Sequence, residues 1–107
     1  VRQYLAWYIH KILGYPKGWI AMERGIKHGS KTYRFDMVLY KDAKPWVLIE
    51  CKAPEVKIDQ KVFDQVFKYN LLLEVPFLMV SNGLSTYAMS VENGTPKFIE
   101  ALPSYQS

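Results

Sequence analysis

The stretch WVLIECK (residues 46–52) decides the fold, because a buried strand here ends in charged residues. Trp46 to Ile49 is an unbroken apolar run of the kind that central sheet strands contain. Ala53-Pro54 ends the strand, since proline cannot continue a ladder of backbone hydrogen bonds. A helical pattern follows at 60–73, and a second compact apolar run follows at 75–80. A connecting helix of this length is what a parallel pair requires, so we expect the two runs to pair in parallel.

Two further strands are predicted before this stretch, and together with it they form an antiparallel meander. The predicted strands of the meander are residues 19–27, 32–41 and 45–52. In the second strand, Phe35, Met37 and Leu39 alternate with polar residues and are expected to share one face. Asp42-Ala43-Lys44 is predicted as a three-residue turn that joins the second and third strands.

Helices and a final hairpin complete the expected fold. Residues 2–13 show the periodicity of an amphipathic helix that Gly14 ends, with an apolar stripe made of Leu5, Ile9, Ile12 and Leu13. Asp59 is the expected N-cap of the helix at 60–73. A hairpin is predicted around Asn93-Gly94, with strands at 85–91 and 96–101.

These elements predict an α/β fold in which residues 1–107 form a single domain. It has a mixed β-sheet with an antiparallel meander, a crossover helix and a flanking N-terminal helix. A chain of 107 residues, half of them apolar, has enough material for one core.

Composition narrows the classes of function. The net charge of +4 favours an anionic partner such as nucleic acid. The lone cysteine, Cys51, excludes a disulfide scaffold, and a zinc cluster is not expected. An unpaired cysteine fits a reducing cytosol, so we expect a cytoplasmic protein. Apolar runs stay well short of the roughly 20 residues that a membrane span needs, so no membrane partner is expected.

Charged residues converge at the end of the meander. With a three-residue turn, Asp36 falls directly opposite Glu50; with a two-residue turn the pairing shifts by one, but the two residues stay neighbours. Lys52 projects from the same face as Glu50. Two opposed carboxylates repel each other unless a cation lies between them. The Cys51 side chain points the other way, but its backbone carbonyl is a further hard oxygen at the edge. Oxygen donors of this kind suit Mg²⁺ or Mn²⁺ better than zinc.

Several motifs resemble a known family. Asp36, followed after thirteen residues by Glu50-Cys51-Lys52, resembles the PD-(D/E)XK nuclease motif, and the predicted order of elements is similar to that family's restriction-endonuclease-like core. A closer resemblance is to the N-terminal nuclease domain of type I restriction enzyme R subunits. The similar stretches are Leu13 to Pro16, Ile49 to Pro54, Phe63 to Gln65, Tyr69-Asn70 and Val80 to Gly83.

The resemblance implies a role for each matching residue. Asp36 and Glu50 would be metal ligands, and Lys52 would be the catalytic lysine. Gln65 and Tyr69 match a QxxxY element and, four residues apart, would position the nucleic-acid backbone from one helical face. Glu23 is a further candidate ligand, since family members often place an acid before the hairpin.

The expected activity is hydrolysis of DNA phosphodiester bonds with Mg²⁺ or Mn²⁺. Lys61 and Lys68 are expected to contact phosphates around the second helix. Further partners would be other subunits of a restriction complex or a second copy of the chain in a homodimer.

Other interpretations stay open. Glu50 and Lys52 are also what a strand end in solvent would carry, with Asp36 paired to Lys52 or Arg34. The same fold could serve as a non-catalytic module that binds DNA or a partner, or as a structural docking domain.

Overall fold

A computed structural model describes residues 2–105, apart from the side chains at positions 28, 69 and 71–73. Its α-helices are α1 (Arg2–Lys11) and α2 (Gln60–Leu73), and a 3-10 helix spans Lys17–Trp19. Its strands are β1 (Ile20–His28), β2 (Lys31–Lys41), β3 (Lys44–Cys51), β4 (Phe77–Ser81), β5 (Thr86–Glu92) and β6 (Thr95–Ile99). The predicted elements are all present, with ends that differ by at most two residues.

The six strands form one mixed sheet in the order β1-β2-β3-β4-β5-β6. The β3–β4 pair is parallel and the other pairs are antiparallel. α2 is the crossover between β3 and β4, as the sequence predicted. Because β3 and β4 are parallel, their carboxyl ends lie at the same edge of the sheet.

The helices cover opposite faces of the sheet. Leu5 and Ile9 of α1 pack with Met37 and Ile49 in one buried cluster. Phe63 and Val66 of α2 pack in a second cluster, which includes Val38, Leu48 and Val80. Leu5, Ile9 and Leu13 of the predicted apolar stripe are buried, as expected. Ile12 is 57% exposed because the helix ends at Lys11.

The turn between β2 and β3 differs from the prediction. It has two residues, Asp42 and Ala43, both with left-handed φ, and Lys41 pairs with Lys44. A β-bulge at Trp46 then shifts the register by one, since Tyr40 pairs with Pro45 but Leu39 pairs with Val47. The bulge restores the register that the three-residue turn would have given.

Phe35 does not share a face with Met37 and Leu39, so that prediction was wrong. Phe35 packs in the cluster under α2, whereas Met37 and Leu39 pack in the cluster under α1. The alternation breaks at Asp36, beside Glu23 of β1, whose φ of 51° is left-handed. The irregularity therefore coincides with the predicted acidic site.

The helix α2 has the bounds that the sequence predicted, and local capping interactions define both of its ends. The Asp59 side chain accepts hydrogen bonds from the backbone N–H groups of Lys61 and Val62, which confirms the N-cap. Glu74 closes the helix in a left-handed conformation. None of the helices described here is long and apolar enough to cross a membrane.

Candidate functional site

Three acidic residues lie side by side on three neighbouring strands. In the β1–β2 register, Glu23 falls opposite Asp36. In the β2–β3 register, Asp36 and Glu50 are the positions directly after the Met37–Ile49 pair. Each strand of the meander therefore contributes one acidic residue to the same end of the sheet.

The three acids line one open pocket of about 420 Å³. Arg34 and Phe35 complete its lining. Three carboxylates against one guanidinium make the lining acidic, so a cation is a better occupant of this pocket than an anion on its own.

Reciprocal hydrogen bonds hold Asp36 and Glu50 together. The backbone N–H of Cys51 donates to Oδ2 of Asp36 over 2.8 Å. The backbone N–H of Asp36 donates in turn to the carboxylate of Glu50. Each carboxylate is therefore oriented by the other strand's backbone at the point where regular pairing ends.

Burial and the neighbouring charge both act on Glu50, whose side chain is only 20% exposed. Burial raises the pKa of its carboxyl, and the negative charge of Asp36 raises the pKa further. The ammonium of Lys52 lies 3.8 Å from Oε2 of Glu50 and partly opposes both effects. The side chains of Glu50 and Lys52 therefore project from the same face, as predicted, and Lys52 pairs with Glu50 rather than with Asp36.

Backbone pairing fixes Lys52 and Cys51 at the edge of the sheet. Lys52 directly follows β3, and its N–H donates over 2.7 Å to the carbonyl of Ser81, the last residue of β4. The Cys51 side chain packs towards the cluster under α1. Burial, followed by the charges of Asp36 and Glu50, raises the pKa of its thiol to about 11. The thiol is thus neutral near pH 7. The role of the Cys51 backbone carbonyl as a metal ligand stays a prediction.

Glu23 has a partner that sequence reasoning missed. Arg2 of α1 donates from Nη1 to Oε1 of Glu23, and both side chains are largely exposed. This hydrogen bond is the main cause that raises the pKa of the Arg2 guanidinium. No sequence signal joins residues 21 positions apart on a helix and a strand, so only the tertiary fold shows the pair.

The donor set is small. Among the side chains that the structure describes, no three from His, Cys, Asp and Glu are grouped so that they could hold a metal ion. The predicted set of two carboxylates and one backbone carbonyl is compatible with this finding, because a carbonyl is not a side-chain donor. Glu23 lies in the same row but is engaged by Arg2.

The predicted DNA-positioning residues lie on α2, on the sheet face that Glu50 shares. Gln65, Lys61 and Lys68 are exposed there. The backbone of Tyr69 is helical, but its side chain lies outside the part of the chain that the structure describes. The contacts of these residues with DNA stay predictions.

Asn82 organises the loops beside the site. Its side chain is buried, donates to the Val56 carbonyl over 2.8 Å, and accepts from the N–H groups of Leu84 and Ser85. The loop after β3 is thereby joined to the β4–β5 loop. Asparagine often bonds local backbone in turns, but the distant partner of Asn82 could not be inferred from the sequence.

A larger cavity of about 600 Å³ lies between the end of α2 and the β5–β6 hairpin. Its lining includes Phe67, Val75 and Val91, and the one acid there is Glu74. Such a lining lacks the grouped ionisable side chains that hydrolytic chemistry needs, so the acidic pocket is the better candidate.

Comparison with known proteins gives one family. A family model described as type I restriction enzyme R protein N terminus (HSDR_N) matches residues 1–103. Neither the curated proteins nor the solved structures give a match.

Proposed function

Because the chain belongs to the family of type I restriction enzyme R protein N termini, we propose that it is a nuclease domain with a restriction-endonuclease-like core of the PD-(D/E)XK type. It hydrolyses DNA phosphodiester bonds and depends on Mg²⁺ or Mn²⁺. One observation carries the proposal: Asp36, Glu50 and Lys52 meet at one edge of the sheet, where a pocket about 420 Å³ in volume is open to a substrate.

The oxygen donors fit a hard divalent cation. Asp36 and Glu50 present carboxylates on adjacent strands, and each carboxylate is held by a backbone N–H from the other strand. Two carboxylates with a backbone carbonyl, here that of Cys51, are typical protein ligands of Mg²⁺ and Mn²⁺. Glu23 is a further candidate ligand, which Arg2 would have to release. When bound, such an ion polarises the phosphodiester and lowers the pKa of a coordinated water.

Lys52 supplies the positive charge that the chain itself brings to the reaction. Its ammonium lies 3.8 Å from Oε2 of Glu50 and its side chain is 29% exposed, so a phosphate oxygen can reach it. There it stabilises the negative charge that develops on the phosphate and orients the attacking water. Its hydrogen-bonded backbone keeps this charge in register with the acids.

The surface around α2 positions the strand. Gln65 and Tyr69 are one helical turn apart and hold the backbone of the DNA. Lys61 and Lys68 contact phosphates, so binding weakens as salt rises. Other subunits of a restriction complex, or a second copy of this chain, are the further partners that this function implies.

Cleavage assays test the proposal. Supercoiled plasmid and single-stranded DNA are incubated with the wild-type chain in Mg²⁺, in Mn²⁺ or with chelator. We expect cutting that requires the metal, loss of cutting in Asp36→Ala, and a fall of roughly 10²–10⁴-fold in Lys52→Ala. Glu55→Ala, which alters an exposed acid in the loop after β3, is the matched control and should cut normally.

The opposite results would favour the alternative. If no DNA is cut under any metal condition, and calorimetry shows no metal binding, the chain is a non-catalytic binding module. Metal-dependent cutting that survives in both Asp36→Ala and Lys52→Ala would place the active site elsewhere.

A further inference from the structure

An exposed pair of aromatic rings lies on the same face of the sheet as Glu50. Tyr87 of β5 is 37% exposed and Phe98 of β6 is 61% exposed, whereas Phe63 of α2 beneath them is buried. The ring centroid of Phe63 is 5.3 Å from that of Tyr87 and 5.4 Å from that of Phe98, with edge-to-face geometry. Tyr87 and Phe98 are called the aromatic surface below.

The sheet register fixes the position of the aromatic surface relative to the acids. Glu50 pairs with Val80, and Val80 pairs with Tyr87. Paired residues project to the same face, and Val80 packs with Phe63 under α2. Two strand spacings separate Glu50 from Tyr87, which corresponds to about 10 Å.

The connection between the aromatic surface and the site is well fixed. Asn82 bonds the loop after β3 to the β4–β5 loop. The hydroxyls of Ser81 and Thr86 lie 2.7 Å apart directly before Tyr87. A ligand that contacts both places therefore meets them at a fixed separation.

Flat, exposed rings close to the carboxylate site favour one kind of occupant. Aromatic side chains stack on nucleic-acid bases, and every base offers a face for this contact. The nuclease function proposed above brings a DNA strand to Asp36, Glu50 and Lys52, and Tyr87 lies about 10 Å from Glu50, so the bases of that strand are the occupant within reach. In a duplex the faces of the bases are already stacked on each other, so only unpaired bases can use the rings.

We propose that the aromatic surface holds unpaired bases of the DNA strand whose phosphodiester lies between Asp36, Glu50 and Lys52. The domain then acts on single-stranded or locally unwound DNA. This inference rests on the proposed nuclease function and adds the class of substrate to it.

Binding of a fluorescein-labelled oligonucleotide, measured by anisotropy, tests the proposal. The oligonucleotide has a mixed sequence and is used alone or paired with its complement, at one fixed salt concentration and with chelator so that nothing is cut. Tyr87→Leu and Phe98→Leu keep an apolar side chain but remove the ring. Each should weaken binding of the single strand roughly 5- to 100-fold and leave duplex binding unchanged.

Two controls separate stacking from other effects. Tyr87→Phe keeps the ring and should bind the single strand like the wild type. Trp7→Leu removes an exposed ring that stacks with Tyr4 on α1, on the opposite face of the sheet, and should also have no effect. Thermal melting of each variant shows that it is folded, which is expected because Phe98 is mostly exposed.

The outcomes separate this inference from the nuclease proposal. If both Leu variants bind single-stranded DNA normally, or weaken duplex binding equally, the substrate inference is overturned even where the wild type cuts DNA in Mg²⁺. If the wild type binds neither form of DNA, the inference is likewise overturned. Loss of metal-dependent cutting in Asp36→Ala, by contrast, tests the nuclease function without involving the aromatic surface.

Discussion

The Asp36 carboxylate accepts a 2.8 Å hydrogen bond from the backbone N–H of Cys51. Met37 and Ile49 form the last regular pair of β2 and β3, so this bond continues the connection between the strands through a side chain. It holds one carboxylate beside Glu50 in spite of their mutual repulsion. Several measurable consequences come from this arrangement.

Replacing Glu50 by Gln should stabilise the metal-free protein at neutral pH. Burial and the charge of Asp36 raise the pKa of Glu50 in the folded state, so the folded protein binds this proton more tightly than the unfolded chain does. Ionisation of Glu50 therefore destabilises the folded protein. This effect is absent below the ordinary carboxyl pKa and is complete above the raised pKa of the folded state. Denaturant unfolding with chelator should give a higher free energy of unfolding for Glu50→Gln at pH 7.5, and the gain should disappear towards pH 4.

Glu55→Gln, an exposed change in the loop after β3, is the control for Glu50→Gln and should change stability little. A Glu50→Gln variant that is less stable than the wild type at neutral pH would contradict the electrostatic account of the site.

The Cys51 thiol should react slowly with iodoacetamide. Its pKa of about 11 leaves roughly a hundred-fold less thiolate at pH 8 than an ordinary thiol has. Alkylation followed by mass spectrometry should therefore accelerate as the pH approaches 11. Asp36→Asn keeps an acceptor for the Cys51 N–H but removes the charge, so this variant should react faster than the wild type.

The urea-unfolded chain gives the reference rate for Cys51. A folded wild-type protein that reacts as fast as the unfolded chain at pH 8 would show that neither burial nor the carboxylates act on the thiol.

Removing the Asn82 side chain should destabilise the protein by about 2–3 kcal/mol. Asn82→Ala removes the donor to Val56 and the acceptor of two backbone N–H groups in a buried place. Asn82→Asp keeps the acceptor but replaces the donor with a buried carboxylate oxygen that faces the Val56 carbonyl, so it should also destabilise the protein, and more so above the carboxyl pKa. Equal stability of Asn82→Ala and the wild type in urea unfolding would mean that the two loops are not joined in solution.

Much of the fold could be predicted because its signals are local. The apolar runs at β3 and β4 and the Asp59 cap of α2 depend on residue type and short-range periodicity. The turn at Asp42-Ala43 could not be predicted, because the left-handed φ of Ala43 is not a preference of alanine. The turn has two residues instead of the predicted three, and the bulge at Trp46 shifts the register back by one residue. The predicted neighbours Asp36 and Glu50 therefore still lie together.

The candidate site was predictable only where strand register determines it. Glu50 and Lys52 share a face because they are two positions apart on a strand. The Arg2–Glu23 ion pair and the bonds of Asn82 depend on how distant segments pack, which no local pattern contains. The face predicted for Phe35 was wrong because the alternation of β2 breaks at Asp36, and residue type along the strand does not reveal such a break.

Diffraction from crystals soaked in Mn²⁺ tests the central claim most directly. Anomalous scattering locates the ion without any assumption about activity. We predict a peak between the carboxylates of Asp36 and Glu50, in contact with the Cys51 carbonyl, that is absent from crystals of Asp36→Asn. A map with no peak between these two carboxylates, or with manganese bound only elsewhere, would contradict the account.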